Sequence, residues 1–403
     1  MKRLFTLLLG LALCSFFLTE ATAQKKVAFG KGLRYTAPDT SFSVKFNFRM
    51  QQLLVINTVD DDSDATSSQF LVRRSRLKFD GFAFTPKLKY KAELGLTNRD
   101  IAINSEDGNT RDAARIILDA VLKYEFVPGW ELWVGQTKLP GNRERVISSA
   151  NLQFVDRSLV NSRFNIDRDA GLQLRGKMKF GDALFNPTFA VTMGEGRNIT
   201  SNNAGGYNYT AHLDFLPFGS FAGKGDYIGS DLEREPKPKL SIGLTYNYND
   251  GAVRQQGQLG RFVEDKNGVD GDYVENNLTA FIADLMFKYQ GFSVMSEYAN
   301  TTGDDEFDDP DALSSKFRTG SGFSIQAGYL LPSNWEIALR YTTIERDKDI
   351  SGITDENQFT FGISKYIVGH ALKVQTDFTR ITFPLFEDTS GRSMFRMQME
   401  MQF

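Results

Sequence analysis

The final thirteen residues, GRSMFRMQMEMQF, alternate strictly. Phe395, Met397, Met399, Met401 and Phe403 fall on one side of an extended chain, with Arg396, Gln398, Glu400 and Gln402 on the other. A period of two marks a β-strand with one apolar and one wet face, a pattern that a helix does not produce. It recurs along the chain. In SFSVKFNFRM, Phe42, Val44, Phe46, Phe48 and Met50 oppose Ser43, Lys45, Asn47 and Arg49. LKYKAELGL and AGLQLRGKMKF repeat the arrangement with Lys, Arg, Gln and Glu on the polar side, and weaker versions run from YNYTAHLDF to ALKVQTDF.

The polar faces are charged, which a face buried in a sandwich tolerates only with partners. The connections carry a second rhythm. Tight breaks at Thr85-Pro86, Val127-Pro128-Gly129, Gly181-Asp182, Gln290-Gly291, Pro332-Ser333-Asn334 and Val368-Gly369 alternate with long polar stretches. These stretches run from Asp60 to Gln69, Arg99 to Asp112, Leu139 to Arg168, Glu195 to Gly206, Asp250 to Glu275, Thr302 to Thr319 and Asp347 to Glu356. Short turns alternating with long loops predict an all-β fold: a transmembrane antiparallel β-barrel of about sixteen strands, with short periplasmic turns and long outer loops. One barrel over residues 42–403 accounts for the pattern, with no boundary for a second domain. The connection from Phe218 to Lys239 is long where the count calls for a short turn, so the count slips there or that turn is elaborated.

Composition agrees. The chain has 34 Phe and 14 Tyr, both strand formers, yet only 41% hydrophobic residues. Beyond the N-terminus no run approaches the roughly 18 apolar residues of a spanning helix. At the N-terminus, Lys2 and Arg3 precede an apolar run from Leu4 to Leu18, and Ala21-Thr22-Ala23 has the form of a signal peptidase site. Residues 1–23 are therefore expected to be a cleaved signal peptide, followed by a leader over 24–41. The single cysteine, Cys14, lies inside that peptide, so the mature chain is expected to use neither disulfide nor thiol chemistry; a lipobox reading of Cys14 conflicts with Leu13 before it. A formal net charge of −3 points to no nucleic-acid partner.

Charge is distributed unevenly along the polar faces. The first half places Lys45, Arg49, Arg74, Arg76, Lys78, Lys87, Lys89, Lys91, Arg115, Lys123, Arg175, Lys177 and Lys179 against Asp80, Glu93, Asp119 and Glu125. A basic stripe on a water-filled, low-dielectric wall concentrates anions, which is selectivity rather than catalysis. Strand parity groups Arg74 with Arg76 and Lys78; Arg73 falls with the apolar set, so it snorkels at the outer interface or a bulge returns it to the lumen. In the later strands Lys288, Arg340, Lys365, Lys373 and Arg396 are nearly balanced by Asp284, Glu297, Glu336, Asp377 and Glu400, a composition that predicts little selectivity.

The longest loop carries Arg143, Arg145, Arg157, Arg163 and Arg168 together with Val146, Ile147, Leu152, Phe154, Val155 and Leu159. So many apolar side chains predict a loop that folds inward and narrows the lumen, or one that packs on a neighbouring subunit. Two outer loops are acidic, with Asp60, Asp61, Asp62 and Asp64 in one and Asp304, Asp305, Glu306, Asp308, Asp309 and Asp311 in the other. Their spacing is not that of a calcium-binding hand, and solvated charge is the expectation. His212 and His370 are the only histidines and lie far apart; His212 shares parity with Asp214, but no serine stands at a catalytic offset. No cofactor, metal site or enzyme activity is expected.

The stretches FLVRRSRLKFDGFAFTPKLKYKAELGL and WVGQTKLPGNRERVISSANLQFVDRSLVNSRFNIDRDAGLQLRG resemble the phosphate-selective porin O and P family. The first is similar to the arginine-rich second strand and its hairpin. The second carries the G-Q-x-K-x-P, E-R, S-S and R-D-x-G elements. The resemblance covers the N-terminal half well; the rest agrees in barrel pattern and in the terminal Phe403. It implies a sixteen-stranded, homotrimeric channel of the bacterial outer membrane, surrounded by lipid and lipopolysaccharide and assembled by the barrel-assembly machinery through its last strand and Phe403. It implies passive diffusion of small hydrophilic solutes, with Arg73 and Arg74 near the constriction. An anion preference follows from the basic wall, and a dedicated phosphate or polyphosphate channel is the alternative. A complete arginine ladder or the lysine cluster of the phosphate-specific members is not matched residue by residue in this sequence.

Overall fold

A computed structural model describes residues 28–60, 62–101, 115–199, 205–263, 273–304, 317–347, 355–384 and 391–403. The expected signal peptide with Cys14 lies outside the described residues, as do Asp61 and residues 305–311 of the acidic loops. The strands are β1 (Leu33–Thr36), β2 (Phe42–Val59), β3 (Asp62–Ala83), β4 (Thr85–Gly95), β5 (Ile117–Val127), β6 (Trp130–Lys138), β7 (Arg168–Gly176), β8 (Met178–Phe180) and β9 (Ala183–Thr192). They continue with β10 (Asn208–Leu216), β11 (Lys239–Ala252), β12 (Asn276–Tyr289), β13 (Phe292–Gly303), β14 (Gly320–Leu330), β15 (Trp335–Arg346), β16 (Glu356–Val368), β17 (Leu372–Thr382) and β18 (Arg392–Gln402).

Each wall strand pairs antiparallel with its neighbours, and β18 closes the sheet on β2 from Arg392↔Val59 to Gln402↔Arg49. β7 and β8 both pair with β9 and are separated by Lys177 alone, so they form one interrupted wall strand. β1 pairs with Ser43–Phe46 of β2, below the point where β18 ends. Phe48 and Phe403 exchange backbone hydrogen bonds of 2.9 and 3.0 Å, and β1 takes over the edge of β2 from there. The wall is thus a closed barrel of sixteen strands, which leaves no open sheet edge in the bilayer.

The alternation decides which way each side chain points. On β18, Met397 and Met399 are 44% and 52% exposed to the outside, whereas the alternating Gln398 and Glu400 are buried. The β2–β3 hairpin corrects one expectation. The polar stretch from Asp60 to Gln69 is not a long loop: β2 and β3 pair up to Val59↔Asp62. The Thr and Ser residues there are compatible with a strand, and above the apolar belt both faces of a strand can be wet.

The lumen is partly filled. Residues 139–167, between β6 and β7, lie inside the barrel and include two short helices, α1 (Arg143–Val146) and α2 (Leu159–Arg163). Ser158 caps α2 by accepting from Asn161 N–H, while its own N–H and hydroxyl donate to the Glu144 carboxylate, tying the helices together. Leu139, Leu159, Val160, Phe164 and Ile166 pack against lumen-facing Ala190, Ile282, Ala299 and Ile344. The long connection between β10 and β11 also turns inward, from the tight-turn end of the barrel. Its Phe221 joins Ile147, Leu152 and Met286 in a second apolar cluster, and Gly229 N–H donates to Asn151 O at 2.7 Å. The elaborated turn and the longest loop therefore meet within the lumen.

Candidate permeation site

Charged wall residues hold the loop in place. Arg143 is fully buried and donates from Nη2 to Asp214 Oδ1 (2.7 Å) and from Nε to Asp284 Oδ1 (2.5 Å). Asn142 donates to Glu297 at 2.8 Å, Gln153 to Glu336 at 2.8 Å, and Val155 N–H to Asp377 at 3.2 Å. Lys373 Nζ donates to Ala150 O and Leu152 O. The nearly balanced charges of β10 to β17 thus anchor the loop on that half of the barrel. Arg143, expected at the constriction, is one of these anchors and does not border open space.

A cavity of about 580 Å³ opens on the outer side of the loop. Ten arginines and Lys138 line it against three acids, Asp100, Asp156 and Asp167. A bulge in β3, between Gln51↔Arg74 and Gln52↔Val72, leaves Arg73 without a cross-strand partner and returns its side chain to the lumen beside that of Arg74. Both guanidinium groups reach one carboxylate: Asp156 Oδ2 accepts from Arg73 and Oδ1 accepts from Arg74 at 3.2 Å. Burial works to raise the Asp156 carboxyl, yet Arg74 and Arg73 beside it hold it well below the usual carboxylate range. Its backbone is fixed by Arg340, which donates to Asp156 O at 2.9 Å.

The remaining candidates distribute along the wall and the loop. Arg76 lines the cavity and donates to Glu93 at 3.0 Å. Arg145 lines it and pairs with Asp167; Arg157 lines it while donating to Glu144 O and Ile147 O. Arg163 is not among the lining residues, and its carbonyl accepts from Gln256 at 2.7 Å. Below the cavity, Lys78 pairs with Asp80 (3.0 Å), Lys89 with Glu131 (2.9 Å) and Lys91 with Asp119 (2.6 Å). Lys123 and Arg175 lie over the ring of Trp133. Arg115 stands just before β5, where its carbonyl accepts from Arg197, and Lys177 is an exposed residue in the break between β7 and β8.

Four cavity cations, Arg197, Arg318, Arg340 and Arg396, come from the outer loops and from the half of the barrel whose charges balance in the sequence. Nothing in their local pattern signals that the barrel curves them toward Arg74. Asp156 was equally silent, a single acid within an arginine-rich loop.

Residues 44–382 match the family model described as phosphate-selective porin O and P. The chain belongs to that family. The porin is similar in fold to Pseudomonas putida OprB (9% identity, TM-score 0.54, covering 89% of this chain and 94% of the other). It is similar also to an anion-selective porin from Comamonas acidovorans (12% identity, TM-score 0.52, covering 90% and 100%). A loop-deletion mutant of Vibrio cholerae OmpT gives 11% identity and a TM-score of 0.53, covering 90% and 100%. No curated protein sequence matches the chain. Family and closed barrel together point to a channel of the outer membrane.

Proposed function

We propose that the protein mediates passive diffusion of small hydrophilic solutes across the outer membrane, with a preference for anions. The observation that carries this reading is the arginine-lined cavity at the outer mouth, where cations outnumber acids and the loop narrows the way inward. In a low-dielectric wall such a surplus raises the local anion concentration and admits guanidinium-matched oxyanions. The open side of the lumen runs along β3 to β7, because the loop and the inserted turn occupy the opposite half. Export through a cleaved signal peptide, trimer formation, contact with lipopolysaccharide and assembly through the last strand complete the proposal. The Comamonas relative, named an anion-selective porin, supports the preference by analogy of fold.

A dedicated phosphate or polyphosphate channel is the second reading. It is favoured by the pair Arg73 and Arg74, which already hold one carboxylate between them, a geometry suited to an oxyanion. The zero-current potential of purified protein in a planar bilayer under a KCl gradient tests the first reading. Anion selectivity that falls on neutralising Arg74 and Arg76 supports it; weak or cation selectivity overturns it. Phosphate that blocks chloride current saturably favours the second reading, and indifference to phosphate removes it.

A further inference from the structure

The connection between β11 and β12 begins as a small hairpin, residues 253–263, at the outer mouth. Val263 N–H donates to Val253 O (2.9 Å), Gln255 N–H to Arg261 O (3.1 Å) and Gln256 N–H to Leu259 O (3.0 Å). Its base is fixed by burial. Val263 packs with Ala252, Leu278 and Phe317, and the Arg254 guanidinium lies over Phe262 and donates to Glu195 O (2.6 Å). Its tip borders the arginine cavity through Gln256, Leu259 and Gly260. The tip also rests on the constriction loop, where Gln256 Nε2 donates to Arg163 O (2.7 Å) and Ser162 O (3.3 Å) at the end of α2.

Beside this contact lies a void of about 20 Å³, bounded by the hairpin, the residues that follow α2 and the wall of β11 to β13. Three buried amide side chains that line it are incompletely paired. Gln258, 1% exposed, has no partner among the described residues for either Nε2 or Oε1. Asn249 and Asn165 donate from Nδ2 to Gly194 O and Asn161 O. A carbonyl only accepts, so the amide nitrogen must face it, and this orientation leaves Asn249 Oδ1 and Asn165 Oδ1 without a donor. Burying amide groups without partners is costly, whereas immobilising a bridging water costs little.

The chemistry of the lining selects the ligand. One water molecule needs roughly 10–15 Å³ of such space, and the void has room for it. Its partners are one amide that both donates and accepts and two oxygens that only accept, and the lining carries no carboxylate. A cation would meet no opposite charge and could not accept from Gln258 Nε2. An anion would face the two asparagine oxygens. Water both accepts from the one and donates to the others.

We propose that one water molecule, held by Gln258, Asn249 and Asn165, seats the hairpin on the constriction loop, and that the hairpin is a hinged lid over the arginine cavity. A joint made of hydrogen bonds and one water opens by exchanging those bonds with solvent, whereas the base of the hairpin is held by apolar burial. Movement at the joint carries Gln256, Leu259 and Gly260 away from the cavity and so alters its width. The lid adds to the proposed channel and does not depend on which ions that channel prefers.

Two measurements test the proposal. The first is a crystal structure of the wild-type protein at a resolution that shows ordered water. A water within hydrogen-bond distance of Gln258 and of Asn249 Oδ1 or Asn165 Oδ1 supports the site. No ordered water there, or a peak that soaked rubidium replaces with an anomalous signal, overturns it. The second compares the wild type with Gln258→Met, which keeps the length of the side chain, and with Gln256→Ala, which removes the tie to α2. Heat-dependent gel migration confirms folding. If the Gln258 amide holds a water, Gln258→Met strands the two asparagine oxygens and Tm falls. Open-channel current in KCl should then flicker roughly tenfold more often, and likewise in Gln256→Ala. If the amide is only a buried group without a partner, removing it leaves Tm unchanged or raises it, and the site is overturned. A fall in Tm with flicker unchanged in both variants overturns the lid. Should Gln258→Met fail to fold, the wild-type structure decides the site and Gln256→Ala decides the lid.

Discussion

Asp156 and Arg74 form an ion pair 3.2 Å long across the cavity, from the tip of the infolded loop to the wall, and Arg73 completes the clamp on the other carboxylate oxygen. The loop therefore supplies its own anion to the arginines that a solute would meet. A permeating oxyanion competes with a carboxylate that is covalently present and held ionised by its partners.

Replacing Asp156→Asn keeps the shape of the side chain and removes the competitor. We expect phosphate block from the outer side to strengthen roughly tenfold, about 1.4 kcal/mol, with a shift of the zero-current potential toward anions. Asp100→Asn removes the same formal charge from the same cavity, but Asp100 lies 4.0 Å from Arg76 and touches neither Arg73 nor Arg74. Equal effects of the two substitutions would reduce Asp156 to a general charge.

Arg143→Met should loosen the loop. The guanidinium bridges Asp214 and Asp284; without it Asp284 would be left buried and unpaired and Asp214 would keep only Tyr227 and His212, a loss of about 3–5 kcal/mol. Because the wall has its own ladder of backbone hydrogen bonds, the expected result is a folded barrel with larger, noisier conductance and a lower Tm. Adding Asp284→Asn should recover part of the loss. A single-channel trace indistinguishable from wild type would show that Arg143 does not fix the constriction.

Much of the fold was legible because it depends on a repeating local pattern. Each strand had to show one face to lipid, and the alternation at Met397, Met399 and Phe395 is readable from sequence alone. Polar residues with no lipid to face were less legible, which is why the upper β2–β3 hairpin read as a loop. The lumen was legible where it is wet. On β12 the lumen positions Leu278, Ala280, Ile282 and Met286 are buried and apolar, Ile282 and Met286 packed on loop and turn residues and Leu278 on Val263 and Phe317, so that strand is apolar on both faces except at Asp284 and Lys288. The acids of the later strands looked like a balanced wet wall, yet Asp284 and Glu297 bind Arg143 and Asn142 of the loop. Contacts between residues more than a hundred positions apart leave no periodic trace.

Acidification should weaken the clamp between the inserted turn and the wall through His370. This residue sits in the turn between β16 and β17, with Nε2 3.2 Å from Gly229 O of the inserted connection and Nδ1 3.3 Å from Lys373 Nζ. Burial, reinforced by Lys373, holds its imidazole well below the ordinary value of 6.5. The unfolded state therefore binds more protons than the folded state between the two pKa values. This contribution to stability is present above pH 6.5 and is lost as pH falls from there through the depressed folded value. Tm measured from pH 8 to pH 5 should fall more steeply for wild type than for His370→Gln. Parallel curves would exclude His370 as the sensitive group.

The outer face makes the last prediction. Met397 lies midway along β18, 44% exposed, paired through the backbone with Leu54 of β2 and Thr376 of β17, both outward-facing. In a lipid-facing strand a guanidinium at this depth has no water to reach, and Met397→Arg should destabilise the barrel by about 2–4 kcal/mol. Thr382→Arg, at the exposed outer end of β17, moves the same group to the interface and should cost only about 0–1 kcal/mol. Folding yields into lipid bilayers across a urea series, read by heat-dependent gel migration, separate the two variants. Equal costs would mean that the Met397 face does not meet lipid and is covered by a neighbouring subunit, where an arginine can find partners.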